Sequence, residues 1–499
     1  MRIGTAAGFG LLATLAQGAA LLDKLAALDD CLLQAEVPTD ERGSEDWVDD
    51  ISSFNGRVKF TPIAIAAPTT VEHIQAAVSC GIEAGVKVTP KTGGHSYASL
   101  GLGGEDGHLV IALDRMHNVT LDKETNIATV QSGTRLGHLA SELYAQGGRA
   151  IAHGTCPGVG VSGHVLHGGF GFSSHTHGLA LDWVAGINVV LANASIVHAS
   201  ATENPDVFWG MLGAGSNFGI ATQYEFNTFE APANVTWFIV SLPWNETTAV
   251  AGIQTLEEYA RNDMPAELNM RVVGSSAMTQ VEGSYHGNDA ELQAALAPFL
   301  EKTGGRLVRS QMVDWIGSLE HYGNAKLDQT RPYKQSETFY AKNLQLKGLN
   351  GTAAENFVDY WFTVAKAVTR VWYFRMDIHG GKHSSVAQSN LDTTSYAHRD
   401  KLFLVEFYDR EASGDYPADG YSFLDDWVAT TTAPLAPSDW GMYINYADTS
   451  LNRSTAQNMY WGKNLAQLQA LKAKLDPEEH FYYPVSLEPA ALAETSGEF

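Results

Sequence analysis

His153-Gly154-Thr155-Cys156-Pro157-Gly158-Val159-Gly160-Val161-Ser162-Gly163 is the stretch on which the fold turns. It contains a formal G-x-G-x-x-G at Gly158, Gly160 and Gly163, and Asp182 follows at roughly the spacing of a dinucleotide-binding acid. That fingerprint needs a buried strand, a tight turn and then a long helix. Here Cys156-Pro157 stand where the strand should end, and His167-Gly168-Gly169-Phe170-Gly171 breaks any helix soon afterwards. The Rossmann reading therefore fails. What remains is a loop of small, permissive residues suited to hugging a ligand, with a cysteine inside it.

A second loop lies upstream, Pro90-Lys91-Thr92-Gly93-Gly94-His95-Ser96-Tyr97. The alternation of Val86 to Thr89 reads as a strand stopping at Pro90, after which two glycines allow backbone N–H groups to close around an anion. An ordinary tight turn is the plainer alternative. His153, His164, His167, His175 and His177 follow no zinc-ligand spacing, so no metal is expected; packing beneath a ligand is the better account.

Further out, Val71, Ile74, Ala77, Val78 and Ile82 share one helical face over 71–85, after the cap Thr69-Thr70. Strands are expected at 108–113 and 128–131 and a helix at 134–145, so the first third mixes short α and β units. The texture changes near Ala231-Pro232-Ala233. Strand patterns at 267–273, 279–285, 371–379 and 402–408 then alternate with helical ones at 247–261, 288–302 and 352–369. This predicts an α+β architecture with a large, mainly antiparallel sheet backed by helices. A last helix is expected near 455–474.

The formal charge of −24 disfavours nucleic acid and anionic lipid surfaces as partners, and favours neutral or cationic small ligands. Met1-Arg2 and the apolar, small-residue run to Ala20 read as a secretory signal peptide, and no later run is apolar for long enough to cross a bilayer. Sequons at Asn118, Asn193, Asn234, Asn245, Asn350 and Asn452 agree with a secreted, extracellular glycoprotein. Three cysteines make an odd count, which an oxidising compartment must explain. We pair Cys31 with Cys80 as a disulfide. Cys156 is then left for a special use, or is a buried inert thiol.

The two glycine-rich loops, with Phe208-Trp209-Gly210, Ala214-Gly215-Ser216-Asn217-Phe218-Gly219-Ile220, Tyr443-Ile444-Asn445-Tyr446 and Phe481-Tyr482-Tyr483-Pro484, resemble the berberine bridge enzyme-like branch of the vanillyl-alcohol oxidase flavoproteins. Within it the likeness is to secreted carbohydrate oxidases of the glucooligosaccharide and xylooligosaccharide type. The resemblance covers nearly the whole mature chain. It implies a two-domain fold: a signal peptide at 1–20, a split FAD-binding domain at 21–231 and 451–499, and a substrate domain at 232–450. It implies FAD on two covalent tethers, His95 to the flavin 8α carbon and Cys156 to C6. Gly93, Gly94, Ser96, Gly158, Val159, Gly160, Gly163, Asn217, Gly219, Ile220 and Tyr483 would surround it. In plant members a valine at the position of Val159 accompanies oxidase behaviour.

The same resemblance implies Tyr446 as catalytic base, with Asp377 as its helper and Tyr97 holding substrate or stabilising the phenolate. An unperturbed phenol titrates near ~10, so such a base needs help. Tyr373, Tyr443, Arg375, Glu406, Gln280 and Glu282 are the expected substrate-binding residues. Strand alternation sends Arg375 and Asp377 to one face, and Leu404, Glu406 and Tyr408 to one face. Arg375 and Glu406 replace what the relatives carry as neutral amides, and a buried pair of opposite charges is the natural solution. The implied reaction oxidises the reducing-end C1 hydroxyl of an oligosaccharide to a lactone, with O2 reduced to hydrogen peroxide. A crowded wall near C6 would favour xylo-oligosaccharides. A monomer is expected. The rival readings are a relative acting on a non-sugar alcohol or secondary metabolite, a dehydrogenase that avoids oxygen, and a non-catalytic carbohydrate-binding protein.

Overall fold

The computed structural model describes residues 23–327, 336–389 and 392–491; the expected signal segment at 1–20 lies outside them. The architecture is α+β. Strands β1 (Ala64–Ala66), β2 (Val88–Lys91) and β3 (Leu109–Ala112) form a parallel sheet in the order β1-β3-β2. The first expected strand thus continues through Pro90 instead of stopping there. It can do so because β2 is an edge strand, where a missing N–H breaks no ladder bond. The helix Val71–Glu83 packs Ile74, Ala77 and Val78 into this small core. Cys80 on that helix is bonded to Cys31 on the helix at 23–34.

Strands β4 (Val119–Leu121) and β5 (Ile127–Gln131) begin a second sheet. A short ribbon pairs β6 (Arg149–Ala150) with β10 (Phe229–Glu230). The second sheet is completed by β7 (Val184–Leu191), β8 (Ile196–Ser200) and β9 (Gly219–Asn227), in the antiparallel order β4-β5-β9-β7-β8.

The third sheet has eight strands: β11 (Val235–Ser241), β12 (Leu268–Ser275), β13 (Thr279–Tyr285), β14 (Arg306–Val313), β15 (Thr338–Leu346), β16 (Val371–Ile378), β17 (Phe403–Glu411) and β18 (Trp440–Gly441). Their order is β14-β11-β13-β12-β16-β17-β15-β18, with antiparallel pairing throughout. One face is apolar: Phe374, Met376, Val405 and Phe407 lie under the helices Gly351–Thr363 and Ala418–Thr432. Phe357, Trp361 and Trp427 pack there, with Trp361 to Phe374 at 4.8 Å and Trp427 to Phe407 at 5.1 Å between ring centroids.

The opposite face is polar, and strand pairing sets its residues in rows. Glu282, Arg271 and Asp377 stand in register, and so do Arg375, Glu406 and Asn343 one step along. The expected last helix is two, Arg453–Trp461 and Leu465–Leu475, broken where Gly462 takes a φ of 42°. The helix expected over 352–369 ends at Thr363 and is followed by a short 3-10 turn.

Candidate active site

The two glycine loops meet back to back. A Cβ on Gly93 would lie 2.2 Å from the nitrogen of Gly160, and one on Gly160 would lie 2.1 Å from Oγ1 of Thr92. Only glycine permits that approach. Arg135 fastens the junction, its Nη1 donating to the carbonyls of Gly93 at 2.9 Å and Gly158 at 2.5 Å. His95 and Cys156 are thereby carried into one groove, which holds about 1720 Å³ of empty space with its open mouth included.

Gly93, Gly94, Ser96, Val159, Gly160, Gly163, Gly219 and Tyr483 also line this groove, together with Tyr97, Arg375, Asp377, Tyr443 and Tyr446. Other expected residues sit behind it. Gly158 gives its carbonyl to Arg135. Asn217 is fully buried, and its Oδ1 accepts the N–H of Leu487, so it ties down the C-terminal return. Ile220 packs in the small core of the first sheet, with Ile74 and Val78. Tyr373 lies under Arg375, whose guanidinium is 4.4 Å from its ring centroid. The Tyr443 hydroxyl accepts from the Gly169 N–H and Asn445 Nδ2, both at 2.9 Å, which fixes the floor of the site.

The groove fits a flat ligand held by these loops. Gly163 faces its open space with nothing within 4 Å of where a Cβ would stand, so any side chain there would occupy the groove. Cys156 is accessible from the groove yet walled in on its remaining sides, and that enclosure pushes its thiol up. Burial holds His95 down to about 4, so its imidazole is neutral. The other histidines of the region work as scaffold. Gly154 N–H donates to Nε2 of His164, and His167 bridges the Gly163 carbonyl and Oγ of Ser216. Burial holds His164 to about 3 and His167 to about 4, so both are neutral.

On the sheet side Arg375 and Glu406 are cross-strand partners, with Nη1 to Oε2 at 3.3 Å. Glu406 is 1% exposed and its other oxygen accepts from the Tyr97 hydroxyl at 2.7 Å. The Tyr97 ring stacks on Tyr446 at 5.3 Å. Burial pushes the Asp377 carboxyl up to about 6, against the opposing pull of Arg271 and Arg375. Burial, reinforced by the charges of Glu406 and Asp377, raises Tyr446 well above the usual phenol. Glu282 is engaged by Arg271 at 2.6 Å and by Gln280 at 3.3 Å, beside the groove and outside its lining.

Sequence reasoning missed Arg271, Arg135 and Asn343. Arg271 was within reach, since a charged residue in mid-strand of an otherwise apolar run marks the polar face. Asn343 binds the Tyr443 N–H at 2.6 Å and the Tyr446 carbonyl at 2.9 Å, so it holds the turn that presents Tyr446. Arg135 and Asn343 act only through distant segments, and no local pattern marks them.

A family model for an FAD binding domain matches residues 62–200, and one described as berberine and berberine-like matches residues 442–488. The xylooligosaccharide oxidase of Thermothelomyces thermophilus is 54% identical over 476 residues, covering 94% of this chain and 96% of that protein. The structure of a xylooligosaccharide oxidase from Myceliophthora thermophila C1 in complex with xylobiose superposes with a TM-score of 0.92 at 53% identity, over 93% of this chain and all of that one. The structure of glucooligosaccharide oxidase from Acremonium strictum, described as carrying 6-S-cysteinyl, 8α-N1-histidyl FAD, superposes at 0.91 with 46% identity, again over 93% of this chain and all of that one. The chain therefore belongs to the FAD-linked, berberine-like oxidoreductases, alongside the xylooligosaccharide and glucooligosaccharide oxidases.

Proposed function

We propose that this enzyme oxidises the reducing-end C1 hydroxyl of oligosaccharides, xylose-ended ones above others, to a lactone, with O2 as acceptor and hydrogen peroxide as product. FAD is held at both His95 and Cys156, within a flavin domain of residues 21–231 and 451–499; residues 232–450 supply the sugar side. The chain is exported and acts as a monomer. All six sequon asparagines are exposed, which supports export, and no helix among the described residues is long and apolar enough to cross a membrane. The observation that carries the reading is a single groove lined by His95, Cys156, Tyr446 and Asp377, with Arg375 on its sheet-side wall.

Bound FAD supplies the hydride acceptor. The protein handles the proton. Tyr446 is neutral at working pH, because burial and two nearby carboxylates disfavour its phenolate. It takes the hydroxyl proton as it gives its own to Asp377, which is ionised above about pH 6. Tyr97, fixed by Glu406, stacks on Tyr446 and fixes its plane. The test is peroxide release on xylo-, cello-, malto- and chito-oligosaccharides and lactose. Turnover of xylobiose is expected. No peroxide from any reducing sugar, with the protein yellow and folded, overturns the reading.

A further inference from the structure

The segment Phe54-Asn55-Gly56-Arg57 carries no motif, yet it runs between the His95 loop and the sugar-side sheet. The Phe54 ring lies on the imidazole of His95, with centroids 3.7 Å apart and planes 19° from parallel. Its backbone N–H points to the carbonyl of Gly94 at 3.4 Å. Asn55 is 1% exposed and donates through Nδ2 to the carbonyl of Tyr97 at 2.7 Å. The residues on either side of His95 are thus held, and the ring is covered on one face.

The far side of the segment grips the sheet. Glu337 N–H donates to the Phe54 carbonyl at 2.9 Å, and Gly56 N–H to the Glu337 carbonyl at 2.8 Å. Arg57 lies over the rings of Tyr340, Tyr416 and Tyr421 at 5.2, 6.0 and 5.4 Å, and donates from Nε to the Phe339 carbonyl at 2.9 Å.

We propose that Phe54 is a positioning residue for cofactor attachment: its ring sets the plane in which the His95 nitrogen meets the flavin ring methyl, and Asn55 and Arg57 brace it from the sheet. The inference rests on the histidyl tether proposed above. Attachment exchanges a methyl C–H bond and the imidazole N–H for one N–C8α bond. Two protons leave to solvent and two electrons reduce the flavin ring system, from which dioxygen takes them as hydrogen peroxide. A neutral imidazole, as burial leaves His95, has the lone pair this step uses. Orientation then governs how often the lone pair faces the methyl carbon.

The test removes the second tether. In Cys156→Ala all covalent flavin depends on His95, and it is read as flavin fluorescence that stays with the denatured chain on a gel, without reference to turnover. Adding Phe54→Leu, which keeps apolar bulk and loses the ring, is expected to lower the covalent fraction roughly 2- to 10-fold, the range one aromatic pair's orientation corresponds to. Adding Phe54→Tyr restores it. Phe54→Leu with Cys156 intact keeps its covalent flavin and its melting temperature, which separates positioning from folding. An unchanged covalent fraction in Phe54→Leu/Cys156→Ala overturns the inference while leaving the tether in place. Loss of all covalent flavin from Cys156→Ala alone overturns the histidyl tether, and the inference with it.

Discussion

On the proposed mechanism, replacing Tyr446 by Phe removes the one oxygen that takes the substrate's hydroxyl proton. The ring, its stacking on Tyr97 and the covalent flavin remain. Anaerobic flavin reduction by sugar is expected to slow by roughly 100- to 10,000-fold. A rate within a few-fold of wild type would place the proton transfer elsewhere. Asp377 adds a pH signature. Its carboxyl titrates at about 6, above an ordinary aspartate, because it is buried. If Asp377 takes the Tyr446 proton as proposed, its protonated form cannot do so, and kcat/KM is expected to fall about tenfold per pH unit below that value. The stability sign is opposite to that of a salt-bridged aspartate. The folded state binds this proton more tightly than the unfolded chain does, so the group's contribution to stability declines as pH rises between about 4 and 6. An acid limb that persists unchanged in the residual activity of Asp377→Asn would assign the titration to another group.

At the scale of the element, the register of β16 against β17 decides what Arg375 and Glu406 do. Alternation in the sequence put each on the polar face of its strand. The cost of a lone buried charge predicted their pairing, and the register of β16 on β17 brings it about across segments far apart in the chain. The pair is unequal: Glu406 is sealed in, while the Arg375 side chain is 34% exposed. Changing Arg375 to Gln strands a buried carboxylate and is expected to destabilise by about 3 kcal/mol. Glu406→Gln and the double Gln variant should cost less, and thermal melts will order the three. On the proposed reading, Glu406 behind the groove holds Arg375 in the wall that faces the sugar. Wild type is expected to favour xylobiose over cellobiose in kcat/KM by roughly 10- to 200-fold, the value of one misfit hydroxymethyl group. The double variant should narrow that ratio. Equal use of both sugars by wild type would remove the pentose preference, and a ratio unchanged in the double variant would remove its physical cause. Strands β11, β14 and β15 were not legible at this scale. The polar outward face of β14 and the nearly continuous burial of β15 both erase the period-two alternation that marks a strand.

Across the whole molecule, the α+β class was legible from the strand and helix patterns and the disulfide from the odd cysteine count, while the family resemblance of the two loops implied that His95 and Cys156 share one groove. The braces were not, since Arg135, Asn343 and Phe54 owe their roles to contacts across the fold. The Cys31–Cys80 bond closes a sequence separation of 49 residues and pins the helix at 23–34 to the first sheet's helix. Chain-entropy arguments value such a closure at about 4 kcal/mol. Cys31→Ser/Cys80→Ser is therefore expected to melt several degrees lower and to be clipped sooner by protease near residues 23–37, with flavin still attached. Equal protease half-lives would show that packing alone holds this helix.

The back-to-back contact of Gly93 and Gly160 bears on how the enzyme can be re-engineered. Each loop is the other's mould, so neither can be diversified by itself. A saturation library across both loops should return a blank at these two positions even when selected only for soluble protein, because any side chain there pries the loops apart. His95 and Cys156, the proposed tethers, line the groove beside that seam, so either can be changed without altering the glycines that form it. Singly tethered flavoenzymes are best made by editing what the loops carry, with the joint between them left untouched.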